Sequence, residues 1–158
     1  FFLLWHAMIS ALHHFEAHCT GAAFDDADRR IDIVGVQILH LDFGNFLKLR
    51  ARDRLAAAAD HYAGQIGRRV VRMTLRDTRS RWGSCAADGS LMYSWRLIMA
   101  PPSVLDYVAA HEVAHMVEMN HSARFWAVVE RLSPGWQAER AWLKRHGGSL
   151  QSLRFDAD

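Results

Sequence analysis

Apolar residues recur along the chain with two different periods, and the changes between them mark out the elements. Over residues 46–66 the period is helical, with Phe46, Leu49, Leu55, Ala59, Tyr62 and Ile66 on the expected buried side. Lys48, Arg50, Arg52 and Arg54 fall largely outside, and Gly64 and Gly67 mark the end. Val71, Met73 and Leu75 then alternate with Arg72, Thr74 and Arg76, the period of a half-buried strand. Residues 81–85 and 91–95 read as two more extended pieces. The Ala87-Asp88-Gly89 turn between them predicts a hairpin. Pro101 and Pro102 end the last strand and open a helix, because Pro fits the first turn, where its missing N–H is not needed. The spacing of Val104, Tyr107, Val108, His111, His115 and Glu118 carries that helix over 103–119. A following helix over 123–132 is capped by Ser122. Ser133-Pro134-Gly135 breaks the chain before a final helix over 136–145, for which Gly147 is the expected stop.

The two ends carry weaker patterns. Residues 1–12 are apolar, but they lack the basic start of a signal peptide and are too short to span a bilayer. His6, His13, His14, His18 and Cys19 cluster loosely without any structural zinc spacing. Residues 24–30 read as an acidic loop, 31–41 as one or two short strands around Gly35, and 149–158 as a loosely held tail.

Composition narrows the class without naming a chemistry. With 158 residues, 51% hydrophobic and 23% charged, the chain is one globular domain with or without an appended segment. Two cysteines, Cys19 and Cys85, form no disulfide framework, so a reducing cytoplasm is the expected setting. The formal charge of +2 is unevenly spread: −4 over 1–47, +7 over 48–96 and −1 over 97–158. The basic middle third is almost all Arg. It reads as a solvated helix face and strand edge, or else as a surface for nucleic acid or an acidic partner.

The chemistry lies in His111-Glu112-Val113-Ala114-His115. Four helical residues turn through about 400°, so His111 and His115 project about 40° apart on one face, one turn above the other. Two imidazoles so placed can bind one metal ion, with the Glu112 carboxylate beside it as the base that takes a proton from water. A catalytic zinc takes three protein ligands, and His121 is the candidate third. A continuous helix would carry it about 15 Å beyond His111. The chain must therefore turn back first, and Asn120 is expected to close the helix in the left-handed conformation. Tyr107, Tyr93 and Arg124 are candidate oxyanion donors, and Trp95 is a candidate cleft residue beside Trp82 and Trp126. Strand 91–95 is a candidate edge for an extended peptide to pair with. Glu118 is expected to support a ligand rather than to be one, and Cys85 to be a small buried residue.

These stretches together resemble the YgjP-like metallopeptidase domain family, relatives of the SprT and WLM zinc peptidases. The resemblance rests on Arg79-Ser80-Arg81-Trp82-Gly83-Ser84-Cys85, Trp95-Arg96-Leu97-Ile98, Ala100-Pro101 and Asp106-Tyr107-Val108. It continues through His111-Glu112, His115, Asn120-His121-Ser122, Phe125-Trp126, Trp142-Leu143 and Gly147. It implies an α+β zincin-like domain over 46–150, with a small, mostly antiparallel sheet packed on an active-site helix. Residues 1–45 then form an unassigned N-terminal segment and 151–158 a C-terminal tail. The implied activity is zinc-dependent hydrolysis of peptide bonds, with His111, His115 and His121 holding Zn²⁺ and Glu112 as general base. Two alternatives remain at this point: an SprT-like protease acting on proteins bound to nucleic acid, and a non-catalytic domain held together by its metal. A peptide or protein substrate is the expected partner, and a membrane is not.

Overall fold

A computed structural model describes residues 26–155, with side chains from Phe43 onward. The N-terminal His/Cys cluster and residues 1–25 lie outside the described residues. The chain divides into two units, with a boundary between Ile38 and Leu39, and apart from the start of the first helix the architecture that follows lies in the second.

The first element is a long helix, α1 (Asp26–Gln65). It takes in residues 31–41, where strands were expected from their β-branched residues. Such residues cost a helix only tenths of a kcal/mol each, and no proline interrupts the run. The buried stripe of α1 is Leu47, Ala51, Leu55, Ala58, Ala59 and Ala63, spaced by three and four and mostly Ala. Phe46 and Leu49, expected inside, are 55% and 64% exposed. Four of the six buried positions are Ala, with Leu47 and Leu55 the large side chains among them.

Three strands form one sheet: β1 (Arg72–Arg76), β2 (Gly83–Cys85) and β3 (Ser90–Ser94), in the order β1-β3-β2. The predicted hairpin is present, with Gly83 opposite Tyr93 and Cys85 opposite Leu91. Its turn uses Gly89 at φ +83°, and the Asp88 carboxylate accepts from the Ser90 N–H at 2.8 Å. The sheet is mixed, not mostly antiparallel, because β1 pairs with β3 in parallel, Arg72 opposite Ser90. The chain leaves β1, forms β2 two positions away, and inserts β3 between them, so β1 and β3 run the same way. As the central strand, β3 has no free edge for a peptide; β1 and β2 are the edges. Leu91, Met92, Tyr93 and Ser94 are all buried, as expected of a central strand covered on both faces.

A 3₁₀ helix follows at once (Trp95–Met99), taking Trp95 out of the strand. Three helices complete the unit: α2 (Pro102–Ala114), α3 (Ala123–Leu132) and α4 (Trp136–Ser152). Helix α2 is buried nearly all round, through Val104, Leu105, Tyr107, Val108, Ala109, Ala110, Val113 and Ala114. It packs against β2, the 3₁₀ helix, α3 and α4. Each fully buried Val or Leu there stabilises the fold by roughly 1.5–3 kcal/mol. The sheet-on-helix core fixes α2, and with it His111, Glu112 and His115.

Helix α4 runs past Gly147, which is not a stop. A Cβ there would lie 2.9 Å from Trp82 Cζ2, so glycine at this point allows the helix to sit against the indole. The chain up to Phe155 is also tied in, where a loosely held tail from 149 was expected. Arg96, 2% exposed, donates to the Leu150 and Leu153 carbonyls at 2.9 and 2.7 Å, while Phe155 packs edge-on against Trp95.

Candidate metal centre and active site

Helix α2 delivers His111, Glu112 and His115 at its C-terminal end, and it stops a turn sooner than the sequence pattern suggests. His115 keeps right-handed helical backbone (φ −64°, ψ −19°). Beyond it the chain tightens through Met116 N–H to the Val113 carbonyl (2.9 Å) and Val117 N–H to the Ala114 carbonyl (3.0 Å). No described residue other than glycine has positive φ, so Asn120 does not close the helix in the left-handed form. The early stop leaves enough chain for a return without it. Ser122 then caps α3 by accepting from the Phe125 N–H, which fixes His121 at the corner between the helices.

The corner brings three imidazoles together. His111, His115 and His121 each offer a ring nitrogen, and these atoms all lie within 4.8 Å of one another. The Nε2 atoms of His111 and His121 are 3.1 Å apart. Two nitrogens bound at about 2.05 Å to one tetrahedral zinc would be about 3.3 Å apart, so the spacing suits a shared ion. The Nδ1 of His115 is 3.1 Å from the Glu118 carbonyl oxygen, a contact that fixes the ring and leaves Nε2 for a ligand. Glu118 therefore supports the cluster through its backbone. Phe125, wholly buried, lies under all three rings at centroid distances of 4.9, 4.4 and 4.8 Å.

Burial favours the neutral form of His111 and His115, in which the ring can donate a lone pair. It pushes the pKa of His111 down to about 3, with His115, His121 and Arg140 adding to the effect. Burial also lowers His115, partly opposed by the Glu118 carbonyl. The Nδ1 of His111 is buried without a hydrogen-bond partner. Three imidazole nitrogens converging over Phe125 are a donor set that fits Zn²⁺.

Glu112 is 7% exposed and rests against β2. A Cβ at Gly83 would come within 2.6 Å of Glu112 Oε1, so only glycine leaves room for the carboxylate in that place. Burial raises its pKa to about 7, with Arg81 pulling the other way.

The other sequence candidates separate. Tyr107 is buried, edge-on to the His111 ring at 5.8 Å, and burial raises its pKa to about 12. Tyr93 is wholly buried and donates to the Ala109 carbonyl, which makes it a core residue out of reach of substrate. Trp95 is 2% exposed and borders a different groove, with Lys48, Arg52 and Asp77, rather than the histidines. Arg124 is exposed on the first turn of α3. Cys85 is half-buried and donates weakly to the Ala86 carbonyl, while burial pushes its thiol up to about 11.

Sequence reasoning missed Arg140. With His111, His121, Trp126 and Trp136 it lines a cavity of about 560 Å³. Its guanidinium lies over Trp126 at 5.2 Å and over Trp136 at 5.8 Å. The available signal was the Trp136/Arg140 spacing of four, which puts both on one face of α4.

Among the described residues no helix is long and apolar enough to cross a membrane. The crystal structure of the metallopeptidase zymogen of Pyrococcus abyssi abylysin has a similar fold. It aligns with a TM-score of 0.52 and 20% sequence identity, over 61% of this chain and 95% of that one. No curated protein matches the sequence. The model of the YgjP-like metallopeptidase domain matches residues 37–146. That span covers more than half of the chain, which therefore belongs to the YgjP-like metallopeptidase family and is a peptidase.

Proposed function

We propose that this protein is a zinc-dependent peptidase in which His111, His115 and His121 hold the metal and Glu112 is the general base. The observation that carries the reading is the convergence of ring nitrogens of His111, His115 and His121 within 4.8 Å of one another. What zinc supplies when bound is Lewis acidity, which lowers the pKa of water toward ~7 and polarises a peptide carbonyl. Glu112 accepts the proton of the attacking water and returns it to the leaving amine. Its raised pKa suits proton exchange near neutrality. Gly83 keeps the carboxylate in place from the β2 side. Tyr107 retains its phenolic proton at neutral pH and flanks His111, which makes it the candidate donor to the oxyanion. The outer edge of β2, next to Glu112, offers backbone groups to an extended substrate.

The test pairs metal analysis with digestion of an unbiased peptide library by the wild type and Glu112→Gln. The proposal expects one zinc per chain in both proteins and cleavage by the wild type alone. Cleavage that survives in Glu112→Gln removes the general base, and a protein that takes up no zinc removes the metal centre.

A further inference from the structure

We infer that Arg140 is a specificity-determining residue that receives a carboxylate of the substrate beside the three histidines. The inference rests on the peptidase reading above and names the class of substrate.

Arg140 and Trp136 form the wall shared by two adjoining cavities. One, of about 560 Å³, contains His111 and His121; the other, of about 600 Å³, contains Trp82, Tyr107 and Lys144. No acidic residue lines either cavity, and two cations do, Arg140 and Lys144. Trp126 and Trp136 are stacked at 4.2 Å with their planes 17° apart, and the guanidinium lies over both rings. Such stacking holds a planar guanidinium in one orientation while leaving its edge N–H groups free. Among the described residues no carboxylate forms an ion pair with Arg140; the ion pairs found there are Arg54 with Asp106 and Arg96 with Asp77. An oriented, unpaired fork of donors at the mouth of a metal centre matches the geometry of a carboxylate, which it can bind through two parallel hydrogen bonds. The aromatic walls around it suit the apolar part of the same residue.

The carboxylate has two possible sources, an acidic side chain near the scissile bond or the C-terminus of a short peptide. Two matched pairs separate them. One pair has neutral side chains and ends in an acid or an amide; the other has amide ends and carries Glu or Gln at positions next to the scissile bond. The wild type is expected to favour the carboxylate member of one pair by about tenfold or more in kcat/KM, the scale of one charge-assisted contact. In Arg140→Gln that ratio is expected to approach one, and in Arg140→Glu to fall below one. Equal cleavage within both pairs by the wild type, or a preference that persists in Arg140→Gln, overturns the inference.

A calorimetric titration of the same peptides into Glu112→Gln gives a readout independent of turnover. Tighter binding of the carboxylate member, lost when Arg140→Gln is added, supports the inference; equal or absent binding overturns it. Should the wild type cleave nothing, the peptidase reading fails, and the titration still decides the role of Arg140.

Discussion

Gly83 on β2 and Glu112 on α2 are in such close contact that a Cβ on the first would lie 2.5 Å from Cγ of the second. The atoms in the way are those of a flexible carboxylate arm, not of backbone, so Gly83→Ala leaves the fold standing and moves the carboxylate. A shift of about 1 Å in a reacting group can cost on the order of 10²-fold in rate. The expected result is a loss of 10- to 100-fold in kcat, again on the order of that estimate, with zinc content unchanged. Steady-state kinetics with metal analysis checks it, and an Ala variant of full activity would show that Glu112 does not act from this position.

Removing a proposed ligand should affect the metal more than the fold. His121 is exposed at the corner between α2 and α3, where its ring meets Phe125 and Trp126 from the solvent side. His121→Ala is therefore expected to keep its helical circular dichroism and to weaken zinc binding by roughly 10²-fold or more, above the loss typical of a supporting residue. Chelation of the wild type should lower Tm by about 8 °C, because an ion present at about 100 times its Kd stabilises the folded state by about 2.7 kcal/mol. Competition with a chromophoric chelator and thermal melts with and without metal measure both effects.

The site was readable where its geometry is local. His111 and His115 share a helix face through the 3.6-residue period alone, and Ser122 announces the next helix by its own chemistry. The corner between them was expected for the wrong reason, since the helix ends at His115 without a left-handed Asn120. Non-local features escaped. The parallel pairing of β1 with β3 depends on where β2 goes, and Arg140 reaches the histidines only because α4 folds back against α2. Residues 31–41 misled through composition, because β-branched residues favour a strand only when neighbouring strands are there to pack on.

Arg96 holds three parts of the chain together. Its side chain is 3% exposed, and it donates to the Asp77 carboxylate after β1 and to two carbonyls at the end of α4. Asp77→Asn is expected to cost about 2 kcal/mol at pH 7, the range for hydrogen bonds to a charged group, reduced because Asp77 is 40% exposed. The Arg96 hydrogen bond holds the Asp77 pKa below its usual value. A folded pKa below the unfolded one means that this stability is present above the unfolded value, about 3.9, and is lost as pH falls through the folded one. Urea unfolding at pH 7 and pH 3 should thus show a gap between wild type and Asp77→Asn that narrows in acid. A gap that stays constant would mean that charge plays no part in the contact.

Two adjacent glycines in α4 should respond in opposite directions to the same change. At Gly148 a Cβ meets nothing within 4 Å, and neither Gly147 nor Gly148 has positive φ. Gly148→Ala is therefore expected to stabilise by about 0.5–1 kcal/mol, the ordinary gain from replacing glycine inside a helix. At Gly147 the added carbon would sit 2.9 Å from Trp82 Cζ2 and 3.3 Å from Cε2 and Nε1. The same helix gain is then offset by overpacking, which costs about 1–3 kcal/mol, so Gly147→Ala should be neutral to destabilising. Trp82 also lines the cavity that holds Tyr107 and Arg140, so displacing its ring should alter KM as well. Chemical denaturation of the two variants side by side is decisive: equal stabilisation by both would mean that α4 does not rely on a glycine to approach Trp82.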